Sequence, residues 1–163
     1  LDGAVAAAGG RIVDVGPAAA VAARHPGAAE RDLGDAVLAP GLVDAHCHLE
    51  WSLLGGVLPA APFPEWLGAM LGARGRMAPA DHAGAARLGA LMALRAGTTT
   101  LADSGPTGAG IDALAEAGMR GIVHLEVFGA GGPAEAAARA EAAAEAIAAL
   151  DGRAGPLLRV GAS

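Results

Sequence analysis

Lysine, asparagine, glutamine and tyrosine are absent from the 163 residues, and there is one cysteine, with two phenylalanines and two tryptophans. Each shortage excludes something. The lone Cys47 has no partner for an internal disulfide, which suits a reducing compartment and makes the cytoplasm the expected location. Two Trp and two Phe offer little surface for stacking bases, and eleven arginines against seventeen acidic residues leave a net charge of -6. Without a basic patch or aromatic platforms, nucleic acid is excluded as a partner. No uncharged apolar run reaches the eighteen residues of a membrane helix, and the first residues lack the basic start and apolar centre of a secretion signal. What remains is a chain that is 53% hydrophobic, enough to build a core around a small-molecule site.

A fragment is expected from both ends: Leu1 stands where an initiator Met would, and Arg159-Val160-Gly161-Ala162-Ser163 reads as a strand just reaching its end. Residues 1–39 predict a small β domain. Ala4 to Ala8 and Arg11 to Val15 flank Gly9-Gly10, a strong two-residue hairpin signal. Ala18 to Arg24 predicts a helical turn, His25 beside Pro26 an exposed loop residue, and Ala36 to Leu38 a return to extended structure.

The central stretch is Leu38-Ala39-Pro40-Gly41-Leu42-Val43-Asp44-Ala45-His46-Cys47-His48-Leu49-Glu50. Pro40-Gly41 marks a turn, Leu42 to Ala45 predicts a short buried strand, and two histidines stand where it ends. Strand side chains alternate between faces, so His46 and His48 share one face and Cys47 takes the other. At roughly 3.3 Å rise per residue, the two imidazoles can converge on one ion at about 2.0 to 2.1 Å each. Composition alone would produce a His-x-His pair roughly 0.15 times, so its placement at a strand end carries the argument.

Leu49 to Pro64, rich in Gly and Pro, reads as a loop. A helix follows with Trp66, Leu67, Met70 and Leu71 on one side, then a second helix opened by Pro79 and Asp81, carrying Leu88, Leu91, Met92 and Arg95 and ended by Gly97. His82, in the first turn of that helix, is expected to be exposed. Glu50, Trp51 and Trp66 are candidate substrate contacts, although the helical spacing of Trp66 favours a core residue. From Thr98 the pattern alternates: a strand to Ala102 with Asp103 at its end, a helix from Ile111 to Ala117, an extended run from Gly121 to Phe128, a long helix from Pro133 to Leu150, and a strand from Leu157. This order predicts parallel βαβ units over residues 40–163, about four positions of an eightfold α/β barrel. His124 and Glu126 share one strand face. Glu126 is a candidate substrate contact, His124 is better explained as a satisfied buried polar group, and Asp103 is either a site residue or a cap for the following loop.

The string from Pro40 to His48 resembles the first barrel strand of the amidohydrolase superfamily, with its PG-[LF]-[VI]-[DN]-x-H-x-H signature. Ala96-Gly97-Thr98-Thr99-Thr100-Leu101-Ala102-Asp103 and Leu125-Glu126-Val127-Phe128-Gly129 resemble the second and third strands of the branch containing chlorotriazine hydrolases and guanine, adenosine-type and aminofutalosine-like deaminases. Gly10-Arg11-Ile12-Val13-Asp14-Val15-Gly16 resembles that family's preceding small β-sandwich. The resemblance implies an incomplete (β/α)8 barrel, a metal bound by His46 and His48 (zinc, with iron(II) as the other choice), and deamination of an adenosine-like or other aminated heterocycle by a metal-activated water. It implies further ligands and the general acid/base beyond Ser163, hence no assignable catalytic residue here and an inactive fragment. Hydrolysis of another C–N or C–Cl bond is the nearest alternative, and a non-catalytic scaffold of the same fold is the alternative from another class. A homo-oligomer is compatible with all three.

Overall fold

The structure, a computed structural model, describes residues 2–128 and 131–163. It divides into two compact units, Leu1–Ala39 and Pro40–Ser163.

In the first unit, β1 (Gly3–Ala8) pairs antiparallel with β2 (Arg11–Pro17), Val5 opposite Val15 and Ala8 opposite Arg11. The turn between them needs two left-handed residues, and Gly9 and Gly10 supply φ values of 57° and 75°. Helix α1 (Ala18–Arg24) follows and buries Val21. Arg24 clasps Asp14 with two hydrogen bonds of 2.7 and 2.9 Å, and the guanidinium holds that carboxyl down at about 2. Asp14 also draws in His25, whose Nε2 lies 3.0 Å away, so this histidine is half-buried rather than the exposed loop residue expected. The extended segment expected at Ala36 to Leu38 forms no strand, and the second sheet of a sandwich is not found among the described residues.

The second unit is a four-stranded parallel sheet in sequential order: β3 (Leu42–Cys47), β4 (Thr98–Gly105), β5 (Arg120–Leu125) and β6 (Leu158–Ala162). Helices α2 (Phe63–Arg74) and α3 (Pro79–Arg95) fill the connection from β3 to β4. Helices α4 (Gly110–Glu116) and α5 (Pro133–Asp151) fill the next two. One sheet face meets the helices in a core of Leu101, Val123 and Leu158 from the strands against Ala86, Ala90, Ile111 and Leu114. Leu101 and Val123 therefore point to the helical side. The strand of the histidines is not buried as expected: β3 is one of the two edges of the sheet among the described residues, and Leu42 is 60% exposed.

Three further expectations change. Leu49–Leu54 is a 3-10 helix and not loop. The strand expected from Gly121 to Phe128 ends at Leu125, although the Glu126 and Val127 N–H groups still donate to the Gly105 and Ser163 carbonyls, and Gly129 lies outside the described residues. On α3 the buried stripe is His82, Ala85, Ala86, Gly89 and Ala90, whereas Leu91 is 61% exposed and Leu88 and Met92 also face outward. Small side chains bring the α3 backbone close to the 3-10 helix, and that close approach decides which face is covered.

Candidate active site at the strand ends

The C-terminal ends of the four strands carry the polar side chains, as parallel α/β sheets place their ligand sites. His46 and His48 leave the end of β3 with ring centroids 4.8 Å apart and planes at 88°. Cys47 turns to the core side, its Sγ 4.0 Å from Asp103 Oδ1. Burial first, then the carboxylates of Asp103 and Asp44, push the Cys47 thiol up to about 12. Burial thus favours the neutral thiol over a reactive thiolate at neutral pH.

His48 donates from Nδ1 to the Ser104 carbonyl at 2.7 Å. A carbonyl can only accept, so this contact fixes the tautomer and leaves Nε2 with a free lone pair. Its imidazole is stacked on Trp51, centroids 4.0 Å apart and nearly parallel at 14°. The Arg74 guanidinium lies 5.7 Å from the Trp51 ring and 5.4 Å from Phe128, joining the segment after β3 to the segment after β5.

His46 opens on a cavity of about 460 Å³, lined also by Ser104, His124, Glu126 and Phe128. That volume lies in the range of small-molecule sites. Glu126 is held with only 11% of its side chain exposed: Oε1 is 3.8 Å from His48 Nδ1, and buried Oε2 has no hydrogen-bond partner among the described residues. A desolvated carboxylate oxygen facing a cavity is an acceptor awaiting a donor. His124 donates from Nδ1 to the Asp103 carbonyl at 3.3 Å, so it is both the satisfied polar group expected and part of the cavity wall.

Glu50 and Asp103 lie behind this wall. Glu50 is 0% exposed, and its carboxylate accepts from the Thr107 N–H (3.1 Å), the Thr107 hydroxyl (2.9 Å) and the Ala109 N–H (3.2 Å). His82 from α3 brings Nδ1 to 3.1 Å from Glu50 Oε2, with the ring turned away from a linear hydrogen bond. This corrects the exposed placement expected for His82, which is only 8% exposed: it falls on the small-residue stripe of α3, which packs inward. Asp103 accepts the Leu49 N–H at 2.8 Å and is equally buried. Burial raises its carboxyl to about 6, helped by Glu50 and Glu126 and opposed by the Leu49 hydrogen bond.

Of the residues selected from the sequence, the fold brings His46, His48, Trp51 and Glu126 together. Glu50 sits beneath them, and Trp66 stays on α2 against Phe63, ring centroids 6.2 Å apart, apart from the cavity lining. Sequence reasoning missed His82, Ser104 and Arg74. A signal for His82 existed in its spacing from Ala85, Ala86 and Gly89, had alanines been counted as core. Among the described residues no group of three or more His, Cys, Asp or Glu converges as a metal cage. The histidine pair nevertheless fits two positions of a divalent metal's coordination shell, because the His48 Nδ1 bond to a backbone carbonyl is the outer-shell arrangement that metal-bound imidazoles use.

Residues 37–158 match the model of the amidohydrolase family, and residues 3–28 match that of a bacterial imidazolonepropionase-like composite domain. The 5-methylthioadenosine/S-adenosylhomocysteine deaminase of Symbiobacterium thermophilum is 36% identical over 156 residues, 94% of this chain and 36% of that protein. Among solved structures, an adenosine deaminase from Xanthomonas campestris with bound zinc superposes with a TM-score of 0.77 at 30% identity, over 98% of this chain and 37% of the other. Helicobacter pylori aminofutalosine deaminase, in complex with methylthio-coformycin, has the same fold, with a TM-score of 0.82 at 22% identity over 98% of this chain and 38% of its own. The chain thus spans little more than a third of the length of these relatives.

Proposed function

The chain belongs to the amidohydrolase family, and we propose that the whole protein is a metal-dependent aminohydrolase that releases ammonia from an adenosine-like nucleoside or related aminated heterocycle. The observation that carries the reading is the pair His46 and His48 at a strand end beside a small-molecule cavity, with His48 Nδ1 tied to the Ser104 carbonyl. In this reading the four parallel strands are the first half of an eightfold barrel.

His46 and His48 would hold the ion, zinc in preference to iron(II). When bound, it supplies a water whose pKa falls from about 15.7 towards 7, a nucleophile for an electron-poor ring carbon. The chain's own residues orient the reactants. His48 is kept in one tautomer by Ser104 and in one plane by Trp51. Glu126 offers Oε2 as an acceptor for a substrate N–H or O–H inside the cavity, where a hydrogen bond to a charged group contributes about 1.5–3 kcal/mol. Phe128 forms part of the apolar wall. Glu50 is set too deep to touch substrate, and Trp66 is better placed as packing for α2.

The test is ammonia release by the zinc-loaded whole protein from adenosine-like, guanine-like and chlorotriazine compounds, beside His46→Ala and His48→Ala. The expected result is ammonia from an adenosine-like substrate, with zinc content falling well below one per chain in both variants. Chloride release or amide cleavage without ammonia would favour the other hydrolase chemistries. Full zinc occupancy in both variants would overturn the metal assignment.

A further inference from the structure

Three successive residues, beginning with the second histidine of the motif, are tied to the end of β4 and the loop behind it. His48 donates to the Ser104 carbonyl at 2.7 Å, the Leu49 N–H donates to Asp103 at 2.8 Å, and Glu50 accepts from Thr107 and Ala109 at 2.9 to 3.2 Å. Of these, only the Glu50 contacts reach past β4 into the loop. Its carboxylate is wholly buried, with the loop's donors on one side and the His82 ring of α3 close by on the other. The space is made for it: a Cβ on Gly105 would lie 2.6 Å from Glu50 Oε1, far inside contact distance, so the chain keeps a glycine where the carboxylate crosses. A buried carboxylate with four polar neighbours is costly to leave incomplete, and an apolar residue of similar volume can pack as stably, so packing alone does not call for a carboxylate here.

We propose that Glu50 is a positioning residue for the metal site: by clamping the Thr107–Ala109 loop it fixes the Ser104 carbonyl that sets the tautomer and direction of His48, and by fixing the 3-10 helix it holds Trp51 against the same imidazole. The inference rests on the reading of His46 and His48 as metal ligands. It gives a task to a residue that neither reaches the cavity nor touches substrate. The route is short: Glu50 to Thr107, back along three residues of chain to Ser104, and from that carbonyl to His48 Nδ1. An outer-shell partner of a metal-bound histidine commonly changes metal affinity by 10- to 100-fold, and Glu50 acts one link further out, at about the lower end of that range.

The experiment measures zinc affinity of the whole protein by competition with a chromophoric chelator, the absorption spectrum of the cobalt(II) form, and the melting temperature of the metal-free form. The variants are Glu50→Gln, Thr107→Val, His48→Ala and Leu158→Ala. Leu158 is a buried core residue at the opposite end of the sheet, so its variant reports the effect of lost stability alone. Glu50→Gln is expected to weaken zinc about tenfold and alter the cobalt spectrum. Thr107→Val, which keeps the carboxylate and removes the hydroxyl donor, is expected to do the same by about threefold, and it carries the test if Glu50→Gln does not fold. Leu158→Ala should lower the melting temperature and leave zinc affinity within about twofold. Unchanged affinity in both loop variants, or a loss in Leu158→Ala as large as theirs, would overturn the proposal. Zinc binding by His48→Ala as tight as wild type would instead overturn the metal reading beneath it.

Discussion

Replacing Asp103 by Asn is expected to stabilise the metal-free protein at neutral pH and to do so only there. Asp103 is fully buried, its Oδ1 accepts the Leu49 N–H at 2.8 Å, and its Oδ2 has no hydrogen-bond partner among the described residues. Its carboxyl is raised from 3.8 to about 6 in the folded protein, chiefly by burial. A carboxyl with a raised folded pKa binds its proton more tightly when folded, so its contribution is fully present below about pH 4 and is lost as pH rises to about 6 and beyond. About two pKa units at 1.36 kcal/mol each make the cost of the ionised form about 3 kcal/mol at pH 7. An asparagine keeps the acceptor for Leu49 and the shape of the protonated acid, without a charge to lose. Urea unfolding of both proteins at pH 4 and pH 7, compared as a difference to cancel the other titrating groups, should therefore shift by about 3 kcal/mol in favour of the variant as pH rises. A difference that stays flat within about 0.5 kcal/mol across that range would refute the assignment of buried strain to Asp103.

The thiol of Cys47, raised to about 12, should resist a thiol reagent at pH 8 in the folded protein and react at the rate of an ordinary cysteine in urea; fast labelling under native conditions would show that the core side of β3 is open. On α3 the substitutions Ala86→Leu and Leu91→Ala should have opposite weights to their side-chain sizes. The first overfills a fully buried position and should cost about 1–3 kcal/mol or more, whereas the second trims an exposed side chain and should change stability by less than about 0.5 kcal/mol, as read from melting curves.

Much of the fold was legible in the chain because its punctuation is local. Gly9-Gly10, Pro40-Gly41, Pro79, Gly97 and Pro133 act on their own neighbours, and the boundaries they set appear within a residue or two of expectation, although β4 runs on to Gly105, three residues past the expected Ala102. Burial was less legible because an alanine-rich helix has no strong apolar stripe. On α3 the leucines at 88 and 91 carry the hydropathy signal, while small residues carry the contact. The 3-10 helix at Leu49–Leu54 was hidden for a related reason: it is held by Asp103 accepting from Leu49, a contact across 54 positions of sequence.

For the site, the sequence alone determined that His46 and His48 would share a face at a strand end, since that follows from the two-residue period of an extended chain. It also determined the parallel order of strands, because each apolar extended run is followed by a helix long enough to cross back. Only the tertiary structure decided which polar residues meet. Glu50 and Glu126 are both near neighbours of a histidine in sequence, yet one is driven beneath the wall onto Thr107 and Ala109 and the other is left facing the cavity with an oxygen to spare. His82, 32 positions from Glu50, becomes its neighbour at 3.1 Å because the glycine and alanines of α3 let the helix settle against the 3-10 turn. Period and propensity act through the few residues on either side, whereas the pairing of buried charges depends on which backbones can approach closely enough to exclude water.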